Sequence, residues 1–257
     1  MIVLIDADIL VYQAGYAAET GVAWDEDTFA IQANLCQGIE ELDAMVAGIV
    51  HATDADKALL CLSCPTPENF RRDIYPAYKE PRTDPTKRTA KPILYKSLRD
   101  HVRSKYQVRE KPRMEADDVL GILATMPGAL GRRIIASIDK DLLTVPGFHY
   151  NWRNGEDGVF EVTESYAALM FYTQVLTGDS TDNYPGLPGI GPKRAAKLLD
   201  CLETEHAMWD AVVSAYEKRG LTEDDALVQA RCARILRAED YDFEKKEIKL
   251  WTPPAQD

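Results

Sequence analysis

The sequence predicts an α/β domain built on a mostly parallel sheet with flanking helices, followed by a smaller helical module. Three observations predict it. Short apolar runs at residues 2–5, 58–62 and 134–138 are separated by segments of helical periodicity, the alternation that produces βαβ units. Paired carboxylates follow the first and third of these runs, where open α/β sheets place their sites. A Gly/Pro-rich stretch beyond residue 176 then leads mainly into further helical patterns. At 257 residues the chain is long enough for one such core and an appended module.

The elements read in order as follows. Residues 31–50 form a first long helix. Residues 71–91 break the pattern with Pro76, Pro81 and Pro85, many charges and few apolar positions, which predicts a mobile loop or partly helical excursion. Helical character returns over 93–106. Residues 149–153 and 158–162 flank the turn-rich NGED and predict a hairpin. Residues 163–176 predict a helix capped by Thr163. GDSTDNYPGLPGIGPKRAAKLL then marks a compact turn between two helices. Amphipathic helices near 205–218 and 223–237 precede a charged tail, in which YDFEKKEIKLW reads as an edge strand. The division expected is an α/β domain over 1–176, with a basic segment about 71–113, and a helical region over 177–257.

Composition narrows the class. Hydrophobic residues make up 46% and charged residues 28%, ordinary for a soluble globular chain. No apolar run reaches the roughly 18 residues a membrane span needs. MIVLIDADIL has neither basic leader nor cleavage site, so it reads as a buried strand of a cytoplasmic protein. Five cysteines with one lone CxxC (Cys61, Cys64) suit reduced thiols better than zinc or a redox pair. The net charge of −12 is unevenly spread. Residues 71–113 hold 14 Lys/Arg against 5 Asp/Glu, a local net of +9, whereas 200–257 hold 14 acids against 8 bases. The basic segment is a candidate footprint for phosphates, set against a merely solvated charged face.

Four segments carry acids in pairs or triples. Asp6 and Asp8 close the first strand, where a turn or helix cap is the alternative role. In MEADDVLGILATM, Val119, Ile122, Leu123 and Met126 make a core-facing helical stripe. Glu115 and Asp118 lie along that stripe, with Asp117 between them. A buried acid is costly unless paired or bound to metal, and capping accounts for only one of three. Asp139 and Asp141 follow the strand 134–138 with their side chains on one side of an extended segment, Lys140 pointing away. Asp179 and Asp182 open the Gly/Pro turn. Hard oxygen ligands without His suit Mg²⁺ or Mn²⁺, and so many carboxylates imply two ions, as in phosphodiester hydrolysis. In the turn itself, Gly186, Gly189 and Gly191 let backbone amides approach a phosphate, and Lys193, Arg194 and Lys197 add positive charge at a helix start.

The pieces LIDADIL, FRRDIYPAYKEPR, MEADDVLG, SIDKDLLTV and TGDSTDNYPGLPGIGPKRAAKLL occur in this order across roughly residues 2 to 200. In them the chain resembles the 5′-nuclease superfamily of flap endonucleases and 5′–3′ exonucleases, in its phage and bacterial branch. The resemblance implies a PIN-like α/β domain with an arch or loop over the active site, then a helix-three-turn-helix module. It implies a metal-dependent 5′–3′ exonuclease or flap endonuclease acting on DNA by a two-metal mechanism, in a bacterial or phage-infected cell. Ligand roles carry over to Asp6, Glu115, Asp117, Asp118, Asp139, Asp141, Asp179 and Asp182. Lys79 and Arg82 match the basic pair at the scissile phosphate and join Asp6 as catalytic residues, while Tyr78 matches an aromatic near the flayed bases. Arg71 and Arg72 are expected to reach phosphate as well. The hairpin with Gly189, Gly191, Lys193, Arg194 and Lys197 is expected to grip duplex backbone without reading sequence, with a K⁺ site at 186–191. The expected partners are duplex ends, flaps and 5′ overhangs, with RNA in RNA–DNA hybrids left open; the expected state is a monomer free of membrane.

Two departures from the family pattern stand out. Ser63 or Cys64 stands where a further ligand Asp is usual, and Asp8 fills a position more often uncharged. Two other readings compete. A HAD-type phosphatase would explain DxD after the first strand but not PGIGPK. A DNA-binding module without catalysis would explain the missing acid.

Overall fold

Strand β1 (Ile2–Asp6) runs without a loop into helix α1 (Ala7–Ala17) because Asp6 ends the one and caps the other, its carboxylate accepting from the Ile9 amide at 3.4 Å. In this computed structural model the described residues are 1–257 without 24, 26–28, 85, 87–89, 129–130 and 256–257. Pro85 and the basic residues Lys87 and Arg88 of the 71–113 segment therefore lie outside the described residues.

After α1 come a hairpin, β2 (Glu19–Ala23) with β3 (Phe29–Ala33), and helix α2 (Leu35–Ala52). The helix expected from residue 31 thus starts later. Asn34 caps it, accepting from the Gln37 amide at 3.2 Å, and the residues before it pair as a strand. Strand β4 (Lys57–Leu62) leads into two short helices, α3 (Arg71–Ile74) and α4 (Glu80–Thr83), within the proline-broken segment. Helix α5 (Tyr95–Lys105), β5 (Val108–Glu110), α6 (Ala116–Thr125) and β6 (Arg133–Ala136) follow. The hairpin expected around NGED is β7 (Gly147–Tyr150) with β8 (Val159–Val162). Helix α7 (Glu164–Thr177) carries its Thr163 cap as expected, at 3.2 Å from the Tyr166 amide. Helices α8 (Pro192–Leu199), α9 (Glu205–Glu217) and α10 (Glu223–Ala233) form the helical region. The tail forms a small hairpin, β9 (Tyr241–Asp242) with β10 (Glu247–Ile248), paired within itself and not added to the main sheet as an edge.

The main sheet has the order β5-β4-β1-β6-β7-β8, parallel except for β8. Its central strands are apolar runs because both faces are covered. On one face Val3, Ile5, Leu60 and Leu62 pack with Leu10, Leu42 and Leu98 of α1, α2 and α5. On the other, Leu4 and Ile135 pack with Val119 and Leu120 of α6 and with Ile235, Leu236 and Tyr241 of the returning tail. A third core joins α7 to α8, α9 and α10 through Phe171, Tyr172, Trp209, Val212 and Tyr216. The helical cluster therefore draws on both sides of residue 176, and the chain after α10 returns to the sheet.

The loop after α7 is closed by a backbone contact that only glycine permits. Gly178 and Gly186 have φ of +66° and +61°, and a Cβ on Gly186 would lie 2.2 Å from the Gly178 nitrogen. The Gly186 amide is spent on Gln229 Oε1 at 2.9 Å. We predict that Gly186→Ala destabilises the protein by about 2 kcal/mol or more in urea unfolding, from positive φ and overlap together. A change under about 0.5 kcal/mol would contradict this packing.

Candidate functional site

Four chain ends meet above the carboxyl edge of the sheet. Asp6 ends β1; Glu115 caps α6 and Asp117 lies in its first turn. Asp139 and Asp141 begin the 3₁₀ turn after β6, and Asp179 and Asp182 sit in the closed loop after α7. These seven acids line a single cleft of about 1620 Å³, with Asp8, Lys79 and Arg82 also in its wall.

Burial and crowding govern the charges. Burial, then Asp8 and Asp139, pushes the Asp6 carboxyl up to about 7 against the Ser137 hydroxyl bond at 3.1 Å. Burial, Asp139 and Asp179 likewise push Asp141 to about 7, and its buried Oδ1 has no hydrogen-bond partner. Asp117 is raised well above its ordinary value by burial, Asp6 and Asp139. Glu115 goes the other way. Burial alone would raise it, but Lys79 and Arg71 hold it down to about 2.

Lys79 is the cation nearest this group. Its ammonium pairs with Glu115 Oε1 and lies 3.1 Å from Asp182 Oδ2. Its backbone is left-handed, φ +51°, and its amide donates to the Asp182 carbonyl at 2.8 Å. A non-glycine residue in this region is held there by its surroundings. Arg82 bonds Asp182 Oδ1 at 2.9 Å and keeps its side chain 46% exposed.

The structure places four expected residues outside the cleft lining. Asp118 is fully buried, and Arg71 binds both its oxygens at 2.7 and 2.8 Å while the Glu115 and Leu236 amides donate to them at 3.0 and 3.2 Å. Its lone pairs are engaged and it has no face on the cleft, so the structure sets it apart from the other seven acids. Arg71, itself buried, has no N–H left for phosphate, and Arg72 donates to the Tyr78 carbonyl at 2.8 Å. Tyr78 is buried against Tyr184 with its hydroxyl 2.8 Å from both Glu115 Oε2 and Asp182 Oδ2, so its ring offers no surface for a base.

The basic segment is also less free than its charge suggests. Arg99 pairs with Asp8 and Glu110, Arg103 with Glu110, Lys105 with Asp43 and Arg113 with Asp73. Around the gap after β4, Ser63 donates its amide to Asp8 Oδ2 at 2.8 Å, accepts from the Ala116 amide on Oγ at 2.8 Å, and gives its carbonyl to Arg99 at 2.8 Å. Burial pushes the Cys64 thiol to about 12, so it brings no charge to the cleft at neutral pH. From the sequence Arg99 is one charge of the basic segment 71–113; its partners Asp8 and Ser63 lie far away in the chain. Gly189, Gly191, Lys193 and Arg194 are exposed at the start of α8 and Lys197 in its last turn, whereas Gly186 is buried in the glycine contact. Arg194 donates to the Gly189 carbonyl at 2.8 Å.

Among the described residues, no three His, Cys, Asp or Glu side chains already converge as a metal cage. The donor set still fits a hard divalent ion. Mg²⁺ keeps several waters and needs only one or two direct carboxylates, so acids spaced around a cleft suit it better than a tight knot. The partnerless Asp141 oxygen and the mutually raised acids show a site short of positive charge.

Known proteins resemble this chain in sequence and in fold. The family described as 5′-3′ exonuclease, N-terminal resolvase-like domain, matches residues 1–166. An exodeoxyribonuclease of Enterobacteria phage T3 is 30% identical, over 98% of this chain and 93% of the relative. A flap endonuclease Xni of Aeromonas salmonicida is 30% identical over 88% of this chain and 92% of the relative. In fold, the chain resembles the flap endonuclease of bacteriophage T5, solved as a complex with DNA and metal ions, with a TM-score of 0.64 at 12% identity over 89% of this chain and 87% of that one.

A pH dependence follows from the raised acids. Between their ordinary 3.8 and about 7, the folded protein holds protons on Asp6 and Asp141 that the unfolded chain has released. Their contribution to stability is full below this window and is lost as pH rises through it. Chelator-treated protein should therefore melt at lower temperature at pH 8 than at pH 5, and Asp6→Asn with Asp141→Asn should flatten the trend. A metal-free melting temperature that climbs over this range in both proteins would contradict the assignment.

Proposed function

The chain belongs to the family of 5′–3′ exonucleases, and on that premise we propose that its cleft hydrolyses DNA phosphodiester bonds with two Mg²⁺ or Mn²⁺ ions held by Asp6, Glu115, Asp117, Asp139, Asp141, Asp179 and Asp182. The observation that carries this reading is the gathering of seven carboxylates from four chain segments in one cleft, with Lys79 and Arg82 at their edge. Bound divalent ions would supply the nucleophile and neutralise charge on the attacking and leaving oxygens.

The chain's own residues do the rest. Lys79 and Arg82 offer N–H groups to the non-bridging oxygens of the scissile phosphate, and both are already aimed by Asp182. Asp6, fixed by Ser137 and the Ile9 amide, is the deepest acid and joins them as a catalytic residue. Exposed Lys193, Arg194 and Lys197, beside Gly189 and Gly191, grip one strand of the duplex through its backbone. Carbonyls of residues 186–191 are the proposed K⁺ ligands; Arg194 already occupies that of Gly189. The substrates proposed are duplex ends, flaps and 5′ overhangs, with RNA–DNA hybrids as a further class, cut by a monomer in the cytoplasm of a bacterial or phage-infected cell. Among the described residues no helix is long and apolar enough to cross a membrane.

The test uses 5′- and 3′-labelled duplex, flap and single-stranded DNA with Mg²⁺ or Mn²⁺, beside the Asp139→Ala/Asp141→Ala double variant. We expect metal-dependent release from the 5′ side, lowered by a factor of about 10³ or more in the variant, each ion in such sites being worth several kcal/mol of barrier. Cleavage that persists in the variant, or that survives a chelator, would refute the metal-site assignment.

A further inference from the structure

Arg71 makes more bonds than any other side chain near the cleft, yet faces away from it. Its side chain is 3% exposed. Nε donates to the Cys232 carbonyl at 3.0 Å and Nη2 to the Arg234 carbonyl at 2.5 Å. Nη1 and Nη2 fork onto Asp118 at 2.8 and 2.7 Å, and Nη1 also reaches Glu115 Oε2 at 3.4 Å. Five donors thus meet partners at the start of α6, in the last turn of α10 and on the chain just after it.

That chain is a strap across the back of α6. The Leu236 amide donates to Asp118 Oδ1 at 3.2 Å, and the Ala238 amide to Thr125 Oγ1 at 2.8 Å. Gly121 lets the strap lie close: a Cβ there would stand 2.4 Å from the Leu236 carbonyl oxygen. On the cleft side, Asp118 Oδ2 holds the Glu115 amide at 3.0 Å. Glu115 is therefore fixed at its backbone by Asp118 and at its side chain by Lys79 on Oε1 and by Arg71 and Tyr78 on Oε2.

We propose that Arg71 is a positioning residue for Glu115: with Asp118, and clamped by the strap 232–238, it sets where the Glu115 carboxylate stands and so how tightly the cleft holds a divalent ion. The C-terminal strap thereby becomes a working part of the metal site. The planar fork matters as well as the charge, because only a guanidinium can bind both Asp118 oxygens and two carbonyls at once. This rests on reading the cleft as a metal site.

The experiment measures Mn²⁺ affinity of the full chain without DNA, by calorimetric titration, with circular dichroism confirming the fold. Glu115→Gln reports on the metal reading itself. Asp118→Asn and Arg71→Lys remove the fork, and Gly121→Ala displaces the strap while leaving every side chain of the site intact. We expect Glu115→Gln, Asp118→Asn and Arg71→Lys each to weaken Mn²⁺ binding about tenfold or more, the usual effect of losing a ligand's supporting partner. Gly121→Ala should weaken it about threefold, a smaller loss of the same kind. At saturating Mn²⁺ the KM for DNA should be unchanged. Folded Asp118→Asn or Arg71→Lys protein that binds Mn²⁺ like the parent, while Glu115→Gln does not, would overturn the positioning role. If those two fail to fold, parental affinity in Gly121→Ala overturns it. Parental affinity in Glu115→Gln would instead overturn the metal reading.

Discussion

Repulsion among the cleft carboxylates is the constraint to which most of the surrounding structure answers. Asp6, Asp117 and Asp141 are all held toward neutrality by burial and by neighbouring acids, with Asp139 common to all three. Chain ends bearing such groups would drift apart unless fixed by something other than the acids. Two buried arginines do this from opposite sides. Arg71 ties α6 to the strap after α10, and Arg99 ties the start of α1 to the end of β4 through Asp8 and the Ser63 carbonyl. Ser63 extends the second bracket to α6 by accepting from the Ala116 amide.

Both brackets are buried ion pairs, and such pairs add little net stability over well-packed apolar groups. Their value here is geometric. A bidentate guanidinium fixes distance and angle at once, which a hydrophobic contact does not. Losing one partner is expensive, about 3–5 kcal/mol, because an unpaired charge is left inside. Asp6, Asp117 and Asp141 thus remain short of positive charge, while Asp118 behind the cleft is fully matched. Asp117 and Asp118, neighbours in sequence, sit on opposite sides of that line.

The parts of the site that could be read from sequence are those whose signal is local. Asp6, Asp139 and Asp141 follow apolar runs, so the strand order alone delivers them to one edge. The Thr163 cap and the NGED hairpin were legible for the same reason. What stayed hidden depends on distant partners. The stripe that marked Asp118 as inward-facing was correct about direction, but its partner Arg71 lies 47 positions away and turned a supposed ligand into a brace. The positive run 71–113 was read as a free footprint because counting charges cannot see that Arg99 meets Asp8 or Lys105 meets Asp43. Tyr78 looked like a base-stacking ring until packing against Tyr184 buried it. The strand before α2 was missed because a short, half-exposed hairpin leaves only Asn34 as a marker of where the helix begins.

On this proposal the seven cleft acids hold divalent ions, while Asp118 holds Arg71 and the Glu115 and Leu236 amides. Anomalous diffraction from crystals grown with Mn²⁺ tests it most directly. The account predicts two peaks in the cleft, among Asp6, Glu115 and Asp117 and among Asp139, Asp141, Asp179 and Asp182, with the Arg71–Asp118 fork unbroken. A peak ligated by Asp118, or a cleft without peaks, would contradict it.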